Sequence, residues 1–353
     1  MVAKSQVVAD FRSDTVTEPS SGMIKVIGES LNGRLGDDVI DGDTTIVTLE
    51  RKAADLCGKE AGLFCASGTM TNQLALTAQL NRLESVICDS RAHVFTSEAG
   101  GIAFHSQAQP IPIKLSSLDQ SLSVEHIKSA ALEGDVHYAT TRVVSLENTL
   151  WGMIFPDENL LAIARYTRSK GLKLHLDGAR LWNAAVAAPM ESPEDYFRRF
   201  AEPFDSISVC LSKGMGCPIG SVLVGSQELI ARCRHLRKSF GGGWRQAGFL
   251  AAAGVFAIEH NWKRMVEDHH HAALLASGMQ KLGFELSCPV QTNMVWIRDP
   301  QKRLLTIAEA LAEQGFLIAP SDASSVRIVT HLMIDSNHIR QFLSTVDKTC
   351  ARC

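Results

Sequence analysis

The chain carries almost no excess charge of either sign: 35 lysines and arginines stand against 38 aspartates and glutamates, a formal net charge of −3. Nucleic-acid binding draws most of its strength from basic side chains that release counterions from phosphate, and no such excess or long basic run is present. Aromatic residues are scarce at 6%, too few for a base-stacking surface. No window of about 18 uninterrupted apolar residues occurs, so no segment is expected to span a membrane. Residues 1–6 lead into a charged stretch without the apolar centre of a secretory signal. No segment is low in complexity or repeats itself. What is present is a chain of 353 residues with 45% hydrophobic and 21% charged residues, enough for a large core in one or two domains. This composition points to small-molecule chemistry and away from nucleic acid and membrane.

The nine cysteines are odd in number, and most lie within apolar segments such as 207–211. That pattern reads as reduced core thiols of a cytoplasmic protein. Cys350 and Cys353 form a terminal pair with no second pair at zinc-site spacing, and read as a frayed end. His269-His270-His271 invites a metal reading, but consecutive helical residues diverge by about 100° and cannot converge on one ion. A solvated helix face is expected there, and no metal site is expected anywhere. Gly241-Gly242-Gly243 lacks the lysine of a phosphate-binding nucleotide loop.

Short apolar runs at 61–65, 85–88, 142–146, 172–176, 207–211 and 221–224 alternate with helical patterns, including a crossover helix at 158–169. Strands buried on both faces and separated by helices form a mostly parallel sheet, the α/β class. A long helical stretch at 246–282 then leads to a smaller β/helix pattern ending in a helix near 336–349. The expected division is an N-terminal arm at 1–20, a large domain at 21–245 and a small domain at 246–353.

In such sheets ligands bind beyond the carboxyl ends of the strands. The run 172–176 is followed by Asp177-Gly178-Ala179-Arg180, and 207–211 by Ser212-Lys213-Gly214. An acid and a lysine thus project from one edge. Gly214 and Gly216 leave little crowding around the amine, which could form a Schiff base with an aldehyde. The acid suits a pyridinium nitrogen. Ser67-Gly68-Thr69 opens a helix after the first run and offers free N–H groups and hydroxyls to a phosphate, with Ser212 a further hydroxyl. Each signal alone is an ordinary cap or turn, but their joint placement matches the anchors of pyridoxal 5′-phosphate (PLP).

The chain resembles the threonine aldolase family of fold-type I PLP enzymes, the β-eliminating lyase group. The matching blocks include Phe11-Arg12-Ser13-Asp14-Thr15-Val16-Thr17, Gly36-Asp37-Asp38-Val39, Ala92-His93 and Glu98-Ala99-Gly100-Gly101. They continue with Ser145-Leu146-Glu147-Asn148-Thr149, His175-Leu176-Asp177-Gly178-Ala179-Arg180, Leu211-Ser212-Lys213-Gly214, Gly243-Trp244-Arg245-Gln246 and Arg327-Ile328-Val329-Thr330-His331. The resemblance implies a large, mostly parallel seven-stranded sheet domain with a smaller C-terminal α+β domain. It implies that Lys213 bonds the cofactor, Asp177 pairs with the ring nitrogen, and Gly68, Thr69 and Ser212 hold the phosphate. Arg180 is implied at the phenolic oxygen and the substrate carboxylate, with Ser13 and Arg327 completing the carboxylate pocket. His93 is implied to stack on the ring and to move the β-hydroxyl proton. His137 matches a second active-site histidine, and reads equally as a loop residue. Arg245 is implied to reach the site of a neighbouring subunit in a homodimer or, preferred, a homotetramer of dimers.

The reaction so implied is retro-aldol cleavage of a β-hydroxy-α-amino acid, threonine or allo-threonine, to glycine and an aldehyde. Two departures stand out. Ile40 occupies a place where family members commonly carry tyrosine, and Trp151 one where many carry a small or polar residue. Both are candidate substrate contacts, although Trp151 also reads as a packed loop aromatic. An apolar Ile40 and a bulky Trp151 keep open a second reaction, alanine racemisation by Cα–H cleavage, since fungal alanine racemases resemble the same family. A PLP-binding regulator without catalysis is a third reading, which Lys213 and the carboxylate pocket disfavour.

Overall fold

The structure, a computed structural model, describes residues 7–33, 35–40, 42–188 and 191–351. Residues 1–6, read above for a secretory signal, and Cys353 of the terminal pair lie outside the described residues. The chain opens with β1 (Ala9–Asp10), a 3-10 turn at Asp14–Val16, α1 (Ser21–Leu31) and α2 (Thr44–Cys57). It continues with β2 (Ala61–Cys65), α3 (Gly68–Gln79), β3 (Glu84–Asp89), α4 (His93–Thr96), β4 (Gln109–Ile113), α5 (Val124–Ala130) and β5 (Thr140–Glu147). Next come α6 (Asp157–Lys170), β6 (Lys173–Asp177), α7 (Leu181–Ala187), α8 (Pro193–Ala201), β7 (Ser206–Cys210), β8 (Ser221–Gly225), α9 (Gln227–Ser239) and α10 (Gly248–His260). The remainder is α11 (Met265–Lys281), β9 (Glu285–Leu286), β10 (Met294–Arg298), α12 (Leu304–Glu313), β11 (Phe316–Leu317), β12 (Ala319–Asp322), β13 (Ser325–Val329) and α13 (Ser336–Cys350).

The large sheet has seven strands in the order β2-β8-β7-β6-β5-β3-β4. Only β8 runs against its neighbours, so β2, β3, β4, β5, β6 and β7 all end at the same edge. Every residue of β7 and β8 is buried, as a sheet covered by helices on both faces requires. β4, with the sequence Gln-Pro-Ile-Pro-Ile, was not expected from its pattern. It lies at the sheet's margin, the place where proline costs no ladder hydrogen bond on the open side.

A second sheet, β12-β13-β10-β9, packs with α11, α12 and α13 around its own core of Leu275, Val295, Ile297, Ile328 and Phe342. Two sequence expectations change here. The stretch 246–282 is not one helix: α10 stops at His260, a 3-10 turn follows at Trp262–Arg264, and Asn261 donates its side-chain N–H to the Met215 carbonyl (2.8 Å). Ala251, Ala253 and Ala257 of α10 belong to the core of the large sheet domain, whereas Ala272 and Leu275 of α11 belong to the second core. Packing therefore divides the chain within α11, not at 246. Nor is the N-terminal arm a separate piece, because β1 pairs with β11 and Ala9 and Phe11 are buried in the second core. Among the described residues no helix is long and apolar enough to cross a membrane.

Candidate active site

The chemistry-bearing residues follow the strands that end at the common edge. Asp177, the last residue of β6, is in register with Glu147 on β5 and Ser208 on β7. Lys213 follows β7 in a tight turn closed by a bond from the Gly216 N–H to the Lys213 carbonyl (2.8 Å). The glycines here serve a purpose other than clearing space for the amine. A Cβ on Gly214 would stand 2.9 Å from the Met265 side chain, and one on Gly216, at φ +77, 2.8 Å from Leu332. Met265, part of the large sheet domain's core, and Leu332 press directly on the lysine turn.

Asp177 is buried, and its two oxygens accept from the Asn72 amide (2.7 Å) and the Ala179 N–H (3.0 Å). Asn72 is oriented in turn by His175, whose Nε2–H donates to the Asn72 side-chain oxygen (3.1 Å) while its Nδ1 accepts from Ser206 (2.8 Å). Burial holds the His175 imidazole neutral by pushing its pKa down to about 4. The acid is thus fixed in direction by a buried relay.

His93 begins α4, beyond the end of β3. Its Nδ1–H donates to Glu98 (2.7 Å), which also accepts from Asn72 (2.9 Å) and Gln73 (2.6 Å). The hydrogen bond to Glu98 raises the His93 pKa above its ordinary value, against the opposing effect of burial. With Nδ1 committed to Glu98, Nε2 is the nitrogen left to take a proton. His93, Glu98 and Asp177 come within 4.8 Å of one another, a spacing a metal could use. Glu98 and Asp177 already bind the amide and imidazole donors just named, so the cluster reads as a hydrogen-bonded unit.

Arg180 is held by a paired contact to Asp14, with Nε–Oδ2 at 2.8 Å and a second bond at 2.6 Å. Burial opposes ionisation of Asp14, but Arg180 and the Lys213 charge outweigh it and keep the carboxyl well below its usual range. Arg327 lies close enough to Arg180 for the two cations to repel, and its own charge is disfavoured by burial and by that neighbour. It donates to the Arg12 carbonyl (3.1 Å), and among the described residues no carboxylate reaches it. Two neighbouring guanidinium groups of this kind have the chemistry to bind a small carboxylate. Ser13 stands alongside as the cap of the Asp14–Val16 turn.

The residues expected at a phosphate also open a helix at this edge. Ser67 caps α3 by accepting from the Met70 N–H (3.1 Å), while the Gly68 and Thr69 amides at the helix start have no partner among the described residues. A Cβ built on Gly68 meets nothing within 4 Å, so the helix start is uncrowded on that side. Ser212 touches Cys210 (3.4 Å) beside Lys213. Free amides, an uncrowded helix start, a lysine and a fixed acid fit PLP.

The structure does not bring every candidate together. His137 precedes β5, at the edge opposite to Glu147, is 78% exposed and bonds only Asp135 (2.7 Å). An eight-residue strand separates the two edges by roughly 25 Å, so His137 is not part of this chain's site. Arg245 is 55% exposed and bonds Asp37 (3.2 Å). Ile40 is 73% exposed. Trp151 stacks on Trp296 at 4.6 Å and accepts from its indole N–H through the carbonyl, which makes it a packed loop aromatic. The histidine run is not a solvated face: His269 bonds Asn183 and is pushed down to about 4 by burial, and His271 is buried against Ser336. Asp14, Asn72, Glu98 and Glu147 were missed as functional groups, although all but Asn72 lie inside recognised blocks.

The fold and its strand ends place the chain among the fold-type I PLP-dependent enzymes. A model of the beta-eliminating lyase family matches residues 10–300. A low specificity L-threonine aldolase of Saccharomyces cerevisiae is 44% identical over 292 residues, 82% of this chain and 73% of that protein. One from Escherichia coli is 38% identical over 332 residues, 94% of this chain and 96% of that protein. The solved threonine aldolase of Leishmania major superposes with a TM-score of 0.84 at 20% identity, covering 97% of this chain and 99% of that one. The chain belongs to the beta-eliminating lyase family, within its threonine aldolases, and is a PLP-dependent lyase.

Proposed function

We propose that the protein cleaves L-threonine and L-allo-threonine to glycine and acetaldehyde, with broad tolerance at Cβ. Bound PLP supplies an electron sink for the bond broken at Cα. Lys213 would hold its aldehyde carbon, Asp177 its ring nitrogen, and Gly68, Thr69 and Ser212 its phosphate. Arg327, with Arg180 and Ser13, binds the amino acid's carboxylate and so sets the direction of the side chain. His93 takes the β-hydroxyl proton at Nε2. The observation that carries this reading is the His93–Glu98 contact at 2.7 Å: a buried carboxylate behind the imidazole makes it a stronger base, which a Cα–H cleaving racemase acting on alanine has no hydroxyl to use. Of the two residues that kept racemisation open, Trp151 does not support it, since its ring packs on Trp296.

Incubation with L-threonine, L-allo-threonine and L-alanine followed by chiral amino-acid analysis is the test. Glycine and acetaldehyde are expected from the first two. D-alanine without appreciable glycine overturns the aldolase reading.

The assembly we favour is a homotetramer of dimers, in the cytoplasm. Supporting it, Ile40 and Arg245 project outward, where a neighbouring subunit's site could receive them. Buried free thiols such as Cys57 and Cys217 suit a reducing compartment. Sedimentation of the active holoenzyme tests the assembly, and a fully active monomer contradicts it.

A further inference from the structure

Glu147 closes β5 at the edge where Asp177 closes β6, and the two carboxyl groups stand in register on adjacent parallel strands. Asp177 accepts from two donors, but Glu147, among the described residues, from one: its Oε2 accepts the backbone N–H of His93 at 2.8 Å. That N–H is the first of α4, whose cap residue Ala92 offers no side chain to hold it. Glu147 therefore performs from another strand the task that a capping side chain performs locally. His93 is then gripped at both ends, with Glu98 on the ring nitrogen and Glu147 on the backbone.

We propose that Glu147 is a positioning residue for His93 that works as a neutral carboxylic acid and, on ionising, retunes the charge around Lys213. The groups facing it come from every neighbouring element: Asp177 from β6, His93 from α4, Lys213 from the turn after β7, Arg180 ahead of α7 and Cys88 from β3. Asp89 and Arg91 line the same small cavity but are paired to each other at 2.8 Å. Burial and then the Asp177 charge push the Glu147 carboxyl up to about 8, and the His93 N–H, Lys213 and His93 only partly offset them. Two adjacent buried carboxyl groups do not both ionise readily, and the one with fewer donors keeps its proton. As pH rises through this range Glu147 acquires a negative charge, and that charge holds the protons on the Lys213 and His93 nitrogens to higher pH.

The test uses the purified holoenzyme and two variants. Glu147→Gln reproduces the neutral acid: it keeps an oxygen for the His93 N–H but cannot ionise. Glu147→Ala removes the acceptor. Without substrate, the absorbance of the bound cofactor reports protonation of the nitrogen at Lys213. Its midpoint is expected to fall by about one pH unit in Glu147→Gln, because the late negative charge never appears. An unchanged midpoint overturns the proposal whatever the substrate proves to be, so this arm is independent of the aldolase reading on which the second arm rests. In the second arm, threonine cleavage at pH 6.5 is expected to be about tenfold faster in Glu147→Gln than in Glu147→Ala, the worth of one retained hydrogen bond. Equal rates in the two variants overturn the positioning role. Should Glu147→Ala fail to fold, Glu147→Leu, which also lacks the acceptor but keeps the volume, replaces it in the second arm.

Discussion

A charged pair taken out of water is held in place only while both partners remain. Arg180 and Asp14 form such a pair, with side-chain exposures of 11% and 0%. Asp14→Asn leaves a buried guanidinium without its counter-charge, and unfolding by denaturant is expected to show a loss of about 3–5 kcal/mol near neutral pH. Because the native Asp14 pKa is lowered, its contribution is complete above the unfolded value near 4 and is lost as pH falls through the native value. The stability gap between wild type and variant should therefore close in acid, and a gap that stays constant would show that charge is not its source. His93 gives a second residue-scale expectation. Glu98 raises its pKa, so the base is available only above a raised threshold. Glu98→Gln should shift the acidic limb of the kcat/KM profile for threonine to lower pH while lowering its plateau, and a limb that does not move removes Glu98 from the base's environment. Lys213 and Asp177 were legible from sequence because each lies at the carboxyl end of an apolar run. Asp14 was not, because its partner Arg180 is brought to it through space and no local pattern announces the pairing.

At the scale of elements, α3 shows how one cap serves both folding and binding. Ser67 accepts from the Met70 N–H, which leaves the Gly68 and Thr69 amides pointing at the phosphate corner. Ser67→Ala is expected to cost about 1 kcal/mol in stability and to weaken PLP binding together. Ser67→Asp should separate the two effects. It restores the cap but sets a negative charge against the phosphate, so stability recovers while PLP affinity, measured by absorbance titration of the apoprotein, falls further. Recovery of both would show that the corner does not hold phosphate. Fully buried strands made mostly of small and apolar residues, such as β7 and β8, were readable from sequence because full burial leaves a plain pattern. β4 was not readable, since its prolines argue against a strand unless its marginal place is known. The break between α10 and α11 was equally hidden: residues 261–264 remain near-helical, and the redirection depends on Asn261 reaching the Met215 carbonyl.

At the scale of the molecule, two cores meet at the substrate end of the site, and the N-terminal segment laces them together. Phe11 is buried in the second core, 5.0 Å from the Phe342 ring, and its backbone donates to Leu317 (2.8 Å) and accepts from Val329 (2.9 Å). On either side, the Asp10 carbonyl pairs with the His331 ring (2.7 Å) and the Arg12 carbonyl with Arg327 (3.1 Å). A few residues later Asp14 grips Arg180 of the large sheet domain. Composition and length allowed one or two domains, but contacts spanning 300 or so positions carry no signature in the N-terminal sequence itself, which read as an N-terminal arm. The arrangement makes the carboxylate pocket depend on the second core. Phe11→Ala opens a cavity there and is expected to cost about 3–5 kcal/mol. Since the same segment carries Arg12, Ser13 and Asp14, the cavity should loosen Arg327 and Arg180 before it disturbs Lys213, whose turn follows β7. The KM for threonine should therefore rise several-fold while the absorbance and affinity of bound PLP stay near wild type. Phe11→Leu, which fills more of the cavity, should restore KM in proportion to the stability it recovers. If instead stability falls with KM unchanged, the segment supports the second core without setting the pocket, and the carboxylate site is held by the large sheet domain alone.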